Sequence, residues 1–126
     1  GRIPAPSISY HLEIDLGAMT PEVFEQMERL APFGPGNGVP VFMASRLKAA
    51  LPPRTVGHRG RHLKLIVHPA DAPQNRFEAI GFGMGDRLEE VRRMSEMDLV
   101  FTLVKNTFRG RTSLNMHIRA LRPSED

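Results

Sequence analysis

The sequence predicts a mainly β domain. Five short strands close into a barrel, one helix falls between the third and fourth strands, and a strand and an amphipathic helix precede them. Three observations carry this reading. Five segments show either period-two alternation of apolar and polar residues or a short continuous apolar run, and both are strand signatures. Clusters rich in Pro, Gly, Asn and Asp separate them. Within the barrel region one segment, 87–94, instead spaces its apolar residues as a helix does.

The elements follow in order. Tyr10, Leu12, Ile14 and Leu16 alternate with polar residues and predict a half-buried strand. Thr20 is a good N-cap, Pro21 suits the first helical position, and Glu22 and Glu25 complement the positive helix end. Val23, Met27 and Leu30 share a face, so an amphipathic helix is expected over 21–31, ended by Pro32. The stretch RLAPFGPGNGVPVF (29–42) then sets Pro32, Pro35 and Pro40 and Gly34, Gly36 and Gly38 around Phe33 and Phe42. Neither helix nor strand can run through it, and it reads as a stiff elbow.

The barrel's first strand spans 41–50, with Val41, Met43, Leu47 and Ala49 on one side and Arg46 and Lys48 on the other. Pro52 and Pro53 break it, and 54–57 resumes it. HRGR (58–61) is a turn. The second strand, 62–68, points Leu63, Leu65 and Val67 inward and His62, Lys64 and His68 outward. The loop HPADAPQN leads to a third strand over 77–82, ended by GMGD. A short helix over 87–94 buries Leu88 and Val91. Residues 98–105 are apolar on both faces and so form a strand covered on both sides. NTFRGR turns the chain, with Gly110 available for positive φ. In the last strand, 112–121, Leu114, Met116, Ile118 and Ala120 alternate with Asn115, His117 and Arg119, and Pro123 ends it. The order β-β-β-α-β-β is that of an OB-fold barrel; a five-stranded sandwich or an SH3-like barrel is the rival. The expected division is a linker over 1–9, a connecting strand, helix and elbow over 10–40, the OB-fold domain over 41–123, and a tail over 124–126.

Composition narrows the function. A chain of 126 residues with 40% hydrophobic and 25% charged residues is globular rather than disordered. The absence of cysteine excludes a disulfide scaffold and a thiolate site, and fits a reducing, cytoplasmic setting. No apolar run approaches the ~20 residues of a membrane span. The chain opens on Gly1 rather than Met, which reads as processed or cut from something longer. The formal net charge is +3, but it is unevenly spread. Residues 1–30 hold five acids against Arg2 and Arg29, whereas 46–64 hold six bases and 105–122 five, with no acid in either block. Such asymmetry points to a basic face and a polyanionic partner.

An OB barrel binds oligonucleotides on its second and third strands and with the loops joining strands one to two and four to five. Those places carry Arg54, His58, Arg59 and Arg61, then Lys105, Phe108, Arg109 and Arg111, with His62 and Lys64 on the second strand. The cations would contact phosphates and Phe108 would stack a base. Barrel closure is expected to bring the two clusters side by side as a channel. Phe33, Phe42, Phe82 and Phe101 are assigned to the core.

Catalytic parts are missing. His58 and His62 stand four apart and His68 follows, but arginine neighbours repel a cation, so no metal site is expected. No dense Asp/His cluster could support two-metal hydrolysis. GFGMGD (81–86) lacks the lysine of a phosphate loop and reads as a tight corner. Ser113 has no paired base.

The run LAPFGPGN, then PVF, HLKL, AIGFGMG and GRTSLNMHIRALRP, resembles the C-terminal portion of the RecJ family of single-strand-specific 5′→3′ exonucleases over about 12–123. Gly38 departs from the proline that family members commonly carry after the Asn of PFGPGN. The resemblance implies an OB-fold domain that follows a catalytic core and is tied to it by such a helix and turn. It also implies a role in DNA repair and recombination. The domain would grip single-stranded DNA and guide it to a nuclease site elsewhere that uses Mg2+ or Mn2+, needing no cofactor itself. Partners would be single-stranded DNA, the upstream core of the same chain and a single-strand-binding protein, with no membrane. The alternative is an interaction barrel that docks an acidic peptide or a replication or repair partner.

Overall fold

The computed structural model describes residues 10–30 and 39–125. The predicted linker 1–9 and residues 31–38 of the Pro/Gly elbow, including Phe33, lie outside the described residues. The strands are β1 (Leu12–Glu13), β2 (Phe42–Ala49), β3 (Arg54–Val56), β4 (His62–Pro69), β5 (Phe77–Gly81), β6 (Met97–Phe108) and β7 (Arg111–Pro123). The helices are α1 (Pro21–Leu30) and α2 (Leu88–Arg92). One seven-stranded sheet runs β1-β2-β6-β7-β5-β4-β3, and β2 also pairs with β4. Five strands, β2, β6, β7, β5 and β4, therefore close into a ring, an OB-like arrangement. Within the ring only β5 and β7 run parallel. The inward faces supply the core: Leu63, Leu65 and Val67 of β4, Leu99, Phe101 and Leu103 of β6, and Leu114 and Met116 of β7. Phe42 packs on Phe101 with ring centroids 6.1 Å apart.

Several expectations change in detail. The strand predicted from Tyr10 to Leu16 shrinks to two residues, parallel to the start of β2. Asp15 ends it, because its carboxylate accepts from the Gly17 amide at 2.8 Å and caps a 3-10 turn over Leu16–Ala18. Thr20 does cap α1, its hydroxyl accepting from the Val23 amide at 3.1 Å. The helix buries Phe24 rather than Val23, which is exposed. Phe24 and Met27, three apart, form the packed face and bring the larger apolar area to the core.

β2 breaks its alternation at a bulge. Ala44 pairs with Leu99 and Leu47 with Met97, so Ser45 and Arg46 together face Asp98. Arg46 there takes φ 56°, a left-handed conformation. Asp98 holds the bulge, accepting from the Arg46 amide at 3.3 Å, the Ser124 hydroxyl at 2.6 Å and Arg122 Nε at 2.9 Å. A second irregularity falls on β7, where Val100 pairs with Ala120 but Phe101 with Ile118, leaving Arg119 as the extra residue. β6 and β7 are longer than expected. The six-residue turn NTFRGR contracts to Arg109 and Gly110, with φ 53° and 79°. Two consecutive positive φ values make the tight turn that matches strand twist.

Candidate nucleic-acid interface

β4 is strictly alternating, so its inward leucines fix where the other side chains point. His62 and Lys64 lie on the outward face, as the spacing predicts, and cross-strand pairing extends that face sideways. Arg54 pairs with Lys64, Lys64 with Ile80, and Ile80 with His117, one row across β3, β4, β5 and β7. Phe82 stands beside this row. Its ring centroid is 5.2 Å from both His62 and His117, nearly perpendicular to each, and the residue is 57% exposed. The Gly83 amide donates to His62 Nδ1 at 3.0 Å and fixes that imidazole. Assigning Phe82 to the core is therefore corrected. Strand parity carries the signal: Phe77, Ala79 and Gly81 point inward, so residue 82 faces out.

Cations lie on the neighbouring loop and on β3 and β4. The turn His58–Gly60 holds Arg59 at φ 57°, and the Gly85 amide donates to the Arg61 carbonyl at 2.9 Å, joining the 57–61 loop to the corner after β5. Arg54, Arg59 and Arg61 are exposed and form no ion pair among the described residues. Arg54 directly opposes Lys64, a like-charged pair that an anion would relieve. Lys64 is tempered by Glu78, 3.8 Å from its Nζ. Arg87 is neutralised locally: its Nε lies 2.6 Å from Glu90 Oε1. That hydrogen bond raises the arginine pKa and holds the Glu90 carboxyl below the ordinary carboxylate range. His58 is exposed, while His68 Nδ1 sits 2.7 Å from the Pro69 carbonyl.

The second predicted cluster lies at the β6–β7 hairpin. Phe108 is 69% exposed, with Arg109 Cζ 5.2 Å from its ring centroid, and Arg111 pairs with it across the hairpin. Lys105 does not join them. Because β6 runs on to Phe108, residues 104, 106 and 108 share one face and Lys105 takes the other. There its Nζ lies 3.0 Å from Glu28 and 4.0 Å from Glu25 of α1. Nor do the two clusters meet side by side. They occupy the same sheet face at opposite ends, because β7 runs six residues from Arg111 to His117, roughly 20 Å at ~3.3 Å per residue.

A scan against protein-family models matches residues 10–120 to the RecJ OB domain. The chain belongs to the RecJ OB-domain family. Among solved structures it is similar to RecJ of Thermus thermophilus in complex with Mn2+, with TM-score 0.59 and 21% identity over 94% of this chain and 16% of that one. It is also similar to RecJ of the same organism with Mg2+, with TM-score 0.52 and 24% identity over 84% of this chain and 15% of that one. The chain thus spans about one sixth of the length of those RecJ chains. No curated protein matches it. This RecJ OB domain offers no ligand set for such ions among the described residues, where no three His, Asp or Glu side chains converge to hold a metal. No described helix is long and apolar enough to cross a membrane.

Proposed function

We propose that this RecJ OB domain is the part of a RecJ-like 5′→3′ exonuclease that grips single-stranded DNA, and that it does not cut the strand itself. The observation that carries this reading is the exposed Phe82 ring, flanked by two imidazoles, on a corner whose Gly83 and Gly85 line one cleft with Arg59, Arg61 and Asp86; Arg59 and Arg61 form no ion pair among the described residues. A positive surface that tracks phosphates, combined with an aromatic face on which any base can stack, is how single strands are held without sequence preference. The ring of five strands is read as an OB barrel, and this face is the one such barrels use for oligonucleotides. Residues 41–123 are the gripping module. Residues 10–40 connect it to an upstream catalytic core, where the metal ions of the parent enzyme would act in repair and recombination.

The test is titration of labelled oligo-dT at several salt concentrations. If four to six of Arg54, Arg59, Arg61, Lys64, Arg109 and Arg111 engage, log affinity falls with log salt at a slope of roughly −3 to −4. Arg59→Ala with Arg61→Ala should flatten that slope by about 1.4, two contacts at ~0.7 each. Lys105→Ala, whose partner groups are on α1, should leave it nearly unchanged. An unaltered slope in the double variant removes those arginines from the site. Preference for an acidic peptide over oligo-dT at moderate salt would overturn the single-strand reading.

A further inference from the structure

Between the two clusters lies a strip that neither explains. Along β7 the residues Arg111, Ser113, Asn115 and His117 occupy one face, because the alternate residues Leu114, Met116 and Ile118 are buried. All four can donate hydrogen bonds, and none is an acid. The opposing residues of β6 on this face are Phe108, Asn106, Val104 and Thr102, again without an acid. One carboxylate adjoins the strip: Glu78 pairs with Asn115 across β5–β7 and lies 3.8 Å from Lys64. Phe108 with Arg109 marks one end of the strip, and Phe82 against His117 marks the other.

We propose that the bound strand runs lengthwise along β7, with one base stacked on Phe82, another on Phe108, and the sugar-phosphate chain between them crossing Asn115 and Ser113. This rests on the single-strand reading and adds the path and its length. At the stacked rise of ~3.4 Å per nucleotide the separation of roughly 20 Å is about six steps and takes about seven nucleotides, more than dT4 supplies. That footprint falls in the lower half of the range for OB domains, about 4–16 nucleotides. The end at Phe82 holds more cations without an ion pair among the described residues and is the stronger half. Phe108 acts only on a strand long enough to reach it.

A length series of oligo-dT tests this. dT12 should bind the unaltered chain more tightly than dT4 by more than the gain from its extra binding registers. Phe82→Ala should weaken both. Phe108→Ala should weaken dT12 by about 5- to 150-fold, the worth of one stacked base, and leave dT4 nearly unchanged. Ser113→Glu, an exchange at an exposed position of the strip about 13 Å from His117 and beyond the ~10 Å that dT4 covers from Phe82, should likewise abolish the advantage of dT12 and spare dT4. Circular dichroism of each variant should match that of the parent chain. Equal losses of dT4 and dT12 in Phe108→Ala, or no loss of either, would overturn the path while leaving single-strand binding intact. Failure of the unaltered chain to bind any length would overturn the single-strand reading and the path with it.

Discussion

Replacing Asp98 with alanine should lower the unfolding free energy by about 3 kcal/mol, the low end of the cost of removing one partner from a buried ion pair. Asp98 is 4% exposed and lies opposite the β2 bulge. Its two oxygens accept from the Arg46 amide, the Ser124 hydroxyl and Arg122 Nε, so one carboxylate ties β2, β6 and the end of β7 together. Alanine would leave the Arg122 guanidinium, its side chain 22% exposed, without this charge, and the left-handed Arg46 amide with the Ser124 hydroxyl, 3.3 Å away, as its remaining acceptor. Partial access of water to Arg122 is why the low end applies. Asp98→Asn keeps the shape and one acceptor oxygen but no charge, so it should fall between alanine and the parent. Urea unfolding of all three chains measures this. A loss below about 0.5 kcal/mol for alanine, the ordinary effect of a surface exchange, would mean the carboxylate does not hold the bulge.

The same residue shows where the sequence stops being readable. Period two identifies β4 because nothing interrupts it: Leu63, Leu65 and Val67 are buried and their neighbours are not. In β2 the pattern fails at Ser45 and Arg46, because an inserted residue reverses the parity of everything after it. What stabilises that insertion is a carboxylate 52 positions away, and no local pattern encodes such a contact. The candidate site divides in the same way. His62 and Lys64 fall where strand parity puts them. Phe82 is recoverable from that parity, but the general preference of phenylalanine for interiors points the other way. Lys105 is misplaced by a turn read as too long. Arg109 accepts a positive φ beside Gly110, so β6 continues and the pleat sends Lys105 to the α1 side. The separation of the two cation clusters follows from the parallel register of β5 and β7, which depends on ring closure and is invisible to composition.

Gly85→Ala should reduce oligo-dT affinity by about tenfold, the worth of one stacked base or a pair of phosphate contacts. A Cβ at Gly85 would sit on the Gly60 carbonyl oxygen and 2.9 Å from the Arg61 carbonyl carbon and oxygen. All three are backbone atoms, so no side chain can swing aside to make room. The 57–61 loop must instead move off the corner after β5, and the Gly85–Arg61 hydrogen bond must lengthen or break. That joint sets Arg59 and Arg61 beside Gly83 and Gly85 of the corner that carries Phe82, so opening it separates the phosphate contacts from the corner while the inward leucines of β4 stay packed. The accompanying loss of stability should be about 1–3 kcal/mol, as for other overpacked sites. Leu16→Ala separates the two effects. Leu16 is buried in the 3-10 turn before α1 and belongs to neither cation cluster, and its truncation should cost about 2–5 kcal/mol. It should therefore destabilise the chain at least as much and bind oligo-dT almost normally. Equal binding losses in the two variants would trace the effect to stability alone, and the joint between the loops would have no part in positioning the cations.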